Sequence, residues 1–125
     1  MKDIVLAITT HVSDGTATTL APSGVLGELY AILYVPGTIA TGATVTVTCV
    51  GIDGSSKPLL TKASAGTSNT WYYPRDLVHG VADGAALTGT AGGDRCYPIL
   101  AGVVKVAIAS GGNSKAGKLV VYYED

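Results

Sequence analysis

The chain has 125 residues, of which 14% are charged, and its formal net charge is −1. This length predicts a single domain, residues 1–125, with enough chain for a hydrophobic core but not for an additional catalytic domain. Because no basic field would attract a phosphate backbone, we expect no nucleic acid partner. No run approaches the ~18 consecutive apolar residues of a membrane helix, so we expect no membrane insertion. The low charge fits either a compact β protein or a surface that other protein chains cover.

The first residues predict a strand and then a loop. In residues 2–10, Ile4, Leu6 and Ile8 alternate with a second face that is also mostly apolar, which predicts a strand placed between layers. We expect no secretory signal, because Met1 leads directly into this run, and the cysteines are therefore expected to be reduced. Residues 11–24 lack periodicity and predict a loop or a short edge strand.

Three further runs continue the β pattern. Residues 27–35 combine an aliphatic face with an aromatic face and predict a central strand. In residues 43–50, apolar side chains alternate regularly with threonines, and Cys49 lies on the inward apolar face. The turn sequence Asp53-Gly54-Ser55-Ser56 then predicts a hairpin that returns through residues 57–63.

Aromatic residues concentrate in the second half, which holds the only Trp and five of the seven Tyr. Since aromatic side chains bury the most apolar area and the chain has no Phe, the core is expected to form around this half. The aromatic-proline pairs Tyr73-Pro74 and Tyr97-Pro98 each predict the end of a strand. Residues 80–93 between them are rich in Gly and Ala and predict a long surface loop.

The last two runs complete the fold prediction. In residues 103–109 and 118–123, successive side chains alternate between two strand faces, which predicts two strands. The turn sequence Gly111-Gly112-Asn113 between them predicts a second hairpin. No stretch of ten or more residues has a period of 3.6 with caps at both ends. We therefore predict an all-β domain, a two-sheet β-sandwich of jelly-roll type with about seven to eight short strands.

Catalytic and metal-binding patterns are not found in the sequence. Ser13, His11 and Asp14, or His79 with Asp76 or Asp83, are loop residues without a nucleophile elbow, so we predict no catalytic residues. The two His and two Cys match no zinc spacing, and no calcium loop is present. The glycine pairs lack the lysine and helix of a phosphate cradle. We therefore predict a protein that is not an enzyme and that needs no metal or cofactor.

The aromatic segment has two interpretations. Trp71, Tyr72 and Tyr73 could form a platform that stacks on sugar rings, with Asn69, Arg75 and Asp76 bonding hydroxyls, or they could belong to the core. Because Trp71 and Tyr73 share one strand face and Tyr72 has the other, the three cannot all form a platform, and core packing is favoured. Arg75 and Arg95 are expected to pair with Asp76 or Asp94, or to reach a carboxylate of a partner. The candidate core or interface anchors are Trp71, Tyr72, Tyr73, Arg75, Arg95 and Tyr97.

Several segments within residues 71–124 also carry a resemblance. They are Trp71-Tyr72-Tyr73-Pro74-Arg75, Tyr97-Pro98-Ile99, Gly102-Val103-Val104-Lys105-Val106-Ala107-Ile108, Gly111-Gly112-Asn113 and Gly117-Lys118-Leu119-Val120-Val121-Tyr122-Tyr123-Glu124. This pattern resembles small structural proteins of tailed bacteriophages, in particular the group among head genes that includes jelly-roll capsid cement and decoration proteins. The resemblance implies no catalytic residue.

The function expected from this resemblance is that of a capsid cement protein. Such a protein would bind the major capsid protein on the outside of the virion head, after passing through the host cytoplasm during assembly. Both terminal strands carry few charges and are expected at exposed edges, which favours a homo-oligomer, a trimer rather than a dimer. The alternatives are a carbohydrate- or receptor-binding module of a phage fibre, and a neck or tail-completion protein.

Overall fold

The computed structural model of the chain describes residues 1–77 and 95–125. Strands make up 59% of these residues, and no helix occurs among them, so the predicted all-β class is confirmed. The strands are β1 (Lys2–Thr9), β2 (Ala17–Leu20), β3 (Val25–Val35), β4 (Thr44–Val50), β5 (Ser56–Lys62), β6 (Thr70–Tyr72), β7 (Asp76–Leu77), β8 (Arg95–Cys96), β9 (Ile99–Ala109) and β10 (Ala116–Glu124).

Eight of these strands form one antiparallel sheet that has two halves. The main path runs β1-β10-β3-β9-β4-β5, with β2 also paired to β9 and β6 also paired to β3. One half therefore contains β1, β10, β3 and β6, and the other contains β2, β9, β4 and β5. The strands β7 and β8 pair with each other in a separate two-stranded sheet. This arrangement is consistent with a sandwich-like fold, and the two-sheet jelly-roll type stays a prediction.

The two halves are joined because β9 changes its partner at Gly102. Residues 99–102 pair with β3, and residues 103–109 pair with β4. Gly102 has a φ of 147°, and a Cβ there would overlap the carbonyl oxygen of Val50. Only glycine has both the required backbone freedom and the required small size. One residue thus allows a single strand to serve both halves of the sheet.

The core is mostly aliphatic. In β4, Val45, Val47 and Cys49 are buried as their alternation predicted. The aromatic members of the buried cluster are Tyr34 and Tyr123, with Tyr72 packed against it. The expectation that the core forms around the aromatic second half is wrong, because most of the buried cluster lies before residue 69. Strand neighbours also alternate, so that Tyr72 lies opposite the buried Ile32 whereas Trp71 is 48% exposed.

The first predicted hairpin is confirmed and the second is wrong. The strands β4 and β5 pair across the turn at residues 51–55, where the Asp53 carboxylate accepts hydrogen bonds from the backbone N–H and the hydroxyl of Ser55. In contrast, β10 lies between β1 and β3, while β9 lies against β4, β2 and β3. The segment between β9 and β10 is held elsewhere, since the Gly111 N–H donates to the Gly15 carbonyl and the Gly111 carbonyl accepts from Ala40.

The terminal strands occupy different positions in the sheet. Among the strands of residues 1–77 and 95–125, β1 pairs with β10 and lies at one end of the sheet order. Its Val5 is 55% exposed, so the predicted position between layers is wrong. The strand β10 has neighbours on both sides and is not the exposed edge that its low charge suggested. The segment 11–24 contains the short strand β2, one of the two alternatives predicted for it.

Candidate binding surface

The outer surface of the half that contains β1, β10, β3 and β6 is rich in aromatic side chains. We call this surface the aromatic face and define it by Tyr30, Trp71, Tyr73, Tyr97 and Tyr122. Four of these are at least 40% exposed, with Tyr73 the most exposed at 58%, and Tyr122 is half-buried. Their exposure on a hydrogen-bonded sheet makes this surface the best candidate for a functional site.

A β-bulge places Tyr30 on this face. The pairing of β3 with β10 shifts register between Tyr122, opposite Ala31, and Tyr123, opposite Leu29. Leu29 and Ile32 both point into the core, so the bulge leaves two consecutive residues, Tyr30 and Ala31, between two inward positions. Bulges commonly redirect a side chain in this way.

Trp71 forms the centre of one aromatic group. Its ring lies 5.3 Å from the ring of Tyr122 at an interplanar angle of 29°, and 6.5 Å from Tyr73 at 12°. Ala31 and Val120 are buried although neither belongs to the core cluster. Their registers, opposite Tyr122 and Leu33, place them on the outer side of the sheet. The aromatic side chains therefore form a second apolar layer outside the core.

Arg75 organises the second aromatic group. The rings of Tyr30 and Tyr97 stack with centroids 5.9 Å apart, and the Arg75 guanidinium lies 4.3 Å from the Tyr97 centroid and 5.8 Å from that of Tyr30. Arg75 Nη1 also donates to the carbonyl of Tyr30 at 3.0 Å and to that of Pro74 at 2.6 Å. These contacts fix the orientation of both tyrosine rings through one cation–π and hydrogen-bonded centre.

A cleft of 190 Å³ adjoins this second group. It is lined by Met1, Glu28, Tyr30, Tyr97 and Glu124. Glu28 and Glu124 are directly opposite each other on β3 and β10. The close approach of these strands is possible because residue 27 is glycine, where a Cβ would overlap the Glu124 carbonyl oxygen. The cleft thus combines two aromatic walls with two carboxylates.

The predicted anchors divide between core and surface. Tyr72 packs against the core, whereas Trp71, Tyr73, Tyr97 and Arg95 are exposed, so core packing does not describe the latter group.

The expected Arg75–Asp76 pair does not form. The Asp76 carboxylate instead pairs with Lys57 at 2.8 Å, while Arg75 contacts the tyrosine rings. The predicted loop 80–93, with Asp83, and the residues His79 and Asp94 lie outside the described residues.

Tyr30 and Tyr122 were missed as site residues. The alternation of residues 27–35 placed Tyr30 with Ile32 and Tyr34, but the bulge separates it from these two buried residues. For Tyr122, the sequence predicted only a position in the last strand. Its contact with Trp71 joins segments 51 positions apart, which spacing does not reveal.

The residues considered for catalysis in the first loop have a structural role. The Asp14 carboxylate accepts hydrogen bonds from the backbone N–H and the hydroxyl of Thr16, and these bonds lower the pKa of Asp14. The His11 N–H donates to the Thr16 carbonyl in the same turn. Asp14 is thus engaged in an Asx turn, where its hydrogen bonds go to Thr16.

Within residues 1–77 and 95–125, no group of three or more His, Cys, Asp or Glu side chains is arranged to hold a metal, and no helix could span a membrane. Cys49 is buried, Cys96 is exposed, and no disulfide joins them.

A groove of 550 Å³ lies at the partner change of β9. Its walls are almost entirely apolar and include the exposed Leu20, Leu26 and Ile52.

Comparisons of the chain with protein-family models, with curated proteins and with solved structures found no match.

Proposed function

We propose that this chain is a non-enzymatic structural protein of a tailed-phage virion, a cement protein that binds the outside of the head and stabilises contacts between major capsid subunits. The observation that carries the proposal is the aromatic face, a group of exposed aromatic rings on a hydrogen-bonded sheet. Trp, Tyr and Arg are the residue types most enriched at the energetic centres of protein interfaces. A large protein surface is the partner that such a face fits.

The segments that resemble phage head proteins also supply this face. Trp71, Tyr73, Tyr97 and Tyr122 all belong to them, and Arg75 orients two of the rings. The aromatic face is preorganised by ring stacking and by the sheet, so little side-chain entropy is lost when a partner binds. Repetition around a shell would make even modest individual contacts effective in total.

The edge of β1 supports self-association, although at one point β2 contacts β1, where the Thr19 hydroxyl donates a hydrogen bond to the Ala7 carbonyl. Its outward Val5 is exposed, and the strand carries charge only at Lys2 and Asp3. A strand edge with little charge can pair with another chain. A cyclic homo-oligomer, a trimer in preference to a dimer, would cover this edge and present several aromatic faces to the capsid.

Binding to stripped heads tests the proposal. Trp71→Ala should weaken binding by about 30-fold, the loss expected for an interface centre worth about 2 kcal/mol. The matched control is Leu26→Ala, which removes an exposed apolar side chain from the separate groove and should leave binding within about 2-fold. Equal losses in both variants would contradict a specific role for the aromatic face.

Particle stability gives a second test. Heads that lack the protein should release DNA at a lower temperature than complete heads, and adding the protein back should restore the difference. Copy number separates the capsid role from the neck or tail-completion role, because cement would be present in hundreds of copies per virion. Unchanged heat resistance without the protein would refute the cement role.

A carbohydrate-binding module of a phage fibre is the second candidate. The observation that favours it is the near-parallel arrangement of Trp71 and Tyr73, 12° apart and both about half exposed. Flat aromatic faces of this kind can stack on sugar rings. A glycan array would show strong binding that Trp71→Ala abolishes and Tyr72→Ala, on the opposite strand face, affects less. The absence of any glycan binding by the folded protein would exclude this candidate.

A further inference from the structure

The cleft beside the aromatic face has an unusual electrostatic arrangement. Glu28 and Glu124 lie directly opposite each other on neighbouring antiparallel strands. Side chains in such a pair are roughly 5 Å apart at Cβ, and like charges there repel. Glu124 lies 3.4 Å from the amino group of Met1, whereas Glu28 forms no ion pair within the part of the chain that the structure describes. Among residues 1–77 and 95–125, the cleft therefore retains the negative charge of Glu28, while the charge of Glu124 is paired with Met1.

The neighbouring side-chain cations Lys2 and Arg75 do not pair with Glu28. Lys2 is paired with Asp125, with 2.5 Å between Nζ and Oδ2. Arg75 lies over Tyr97 and does not line the cleft. A cation that entered the cleft would meet the Glu28 carboxylate, the Glu124 carboxylate that is shared with the Met1 amino group, and the surfaces of two tyrosine rings. Carboxylates and aromatic faces both attract organic cations, and the combination favours them over small hydrated metal ions.

The size of the cleft limits the ligand. Sites for drug-sized molecules usually enclose about 300–1,000 Å³, and this cleft has 190 Å³. It has room for one side chain rather than for a larger molecule. The protein already contains one cation–π contact to the same group, because the guanidinium of Arg75 lies 4.3 Å from the centroid of the Tyr97 ring.

We propose that this cleft is a binding site for one basic side chain, arginine or lysine, presented by a protein partner. Charge complementarity selects the occupant: Glu28 and Glu124 supply the negative charge, and Tyr30 and Tyr97 supply the walls. The stacked tyrosines are held in place by Arg75, so the site exists before the partner arrives. The site does not depend on the partner being a capsid protein.

The test uses the isolated, folded protein and four probes: N-acetyl-arginine amide, N-acetyl-lysine amide, N-acetyl-leucine amide and tetramethylammonium. NMR spectra are followed as each probe is added. The arginine or lysine probe should cause saturable shifts at Tyr30, Tyr97 and the two glutamates, with a dissociation constant in the millimolar range. The leucine probe should cause none. Binding of tetramethylammonium alone would indicate a small-molecule cation site and would overturn the proposal.

Two variants and a control identify the site. Glu28→Gln and Glu124→Gln should each weaken the binding of the basic probe by at least about 5-fold. Both substitutions remove the charge and keep the shape of an exposed side chain. The control Asp3→Asn removes one negative charge from the same outer side of the sheet, since Asp3 lies opposite Tyr122, but it does not line the cleft. It should change the affinity by less than 2-fold. An equal loss in Asp3→Asn would show a general charge effect and refute the site.

These measurements are independent of the binding test on stripped heads. If the probes fail to bind while Trp71→Ala still abolishes head binding, only the cleft proposal is wrong. If the basic probe binds and the protein has no affinity for heads, the cleft stands and the cement role fails.

Discussion

Replacement of Gly102 by alanine is expected to destabilise the fold strongly. The residue has a φ of 147°, a conformation that L residues rarely adopt. Holding a non-glycine residue in such a region costs about 1–3 kcal/mol. The new Cβ would also overlap the carbonyl oxygen of Val50, a backbone atom of β4 that cannot rotate away as a flexible side chain could.

The two effects act on one position and together predict a loss of about 3 kcal/mol in the free energy of unfolding. For a chain of this size, that loss lowers the melting temperature by roughly 10 °C. Gly42→Ala is the matched control, because its φ is not positive and a Cβ there would meet no atom within 4 Å. The control should be neutral or more stable by up to about 1 kcal/mol, since alanine restricts the unfolded chain.

Urea unfolding followed by tryptophan fluorescence measures both variants, with Trp71 as the single reporter. The urea concentration at the unfolding midpoint should be lower for Gly102→Ala, while the slope of the free energy of unfolding against urea concentration should stay similar. This combination would show that the stability changed and not the compactness of the unfolded state. If Gly102→Ala unfolded at the same urea concentration as Gly42→Ala, β9 would not need the bend at Gly102, and the account of how the two halves of the sheet are joined would be wrong.

Three smaller predictions address polar groups. Tyr34→Phe should be neutral or stabilising by up to about 1 kcal/mol, because the buried Tyr34 hydroxyl has no hydrogen-bond partner among the described residues; a loss above about 2 kcal/mol in urea unfolding would contradict this. The Ser55 hydroxyl and N–H lower the pKa of Asp53 from 3.8, so its stabilising contribution is complete above that pH and is lost as the pH falls through the lowered value. Asp53→Asn should therefore flatten the loss of thermal stability below about pH 4, and an unchanged acid profile would refute it. Lys57→Ala should cost less than about 1 kcal/mol, because its ion pair with Asp76 is exposed, and the cost should shrink at high salt; a loss that persists there would indicate a packing role.

Local patterns predicted the strands well but not their partners. The alternation of Val45, Val47 and Cys49 identified β4 and its buried side, and the turn at Asp53 identified its hairpin with β5. The segment at Gly111 has the same kind of turn signal, yet it connects strands that do not pair. A turn sequence shows that the chain changes direction, whereas the choice of partner depends on which strand edges are already occupied.

The candidate surface was predicted only in part. Sequence spacing correctly separated Tyr72 from Trp71 and Tyr73, but it could not determine which side faced the core. Arg75 was singled out with the expectation of a carboxylate, and its actual partners are the rings of Tyr97 and Tyr30. Tyr30 is 45 positions away along the chain and reaches the site through a bulge. Contacts between distant segments, set by register shifts, are not encoded in local periodicity.

The strand order has a consequence for how the chain folds. The strand β1 pairs with β10, with Lys2 opposite Tyr123, so β1 is paired by a strand that follows more than 100 residues later in the chain. Among the main pairings, the β4–β5 hairpin alone joins neighbouring strands in sequence. Proteins dominated by such distant pairings fold slowly, typically in milliseconds to seconds, because loop entropy is lost before the contacts form. During synthesis, β1 therefore cannot form this pairing until β10 has left the ribosome, and unpaired strand edges of this kind make a chain prone to aggregation.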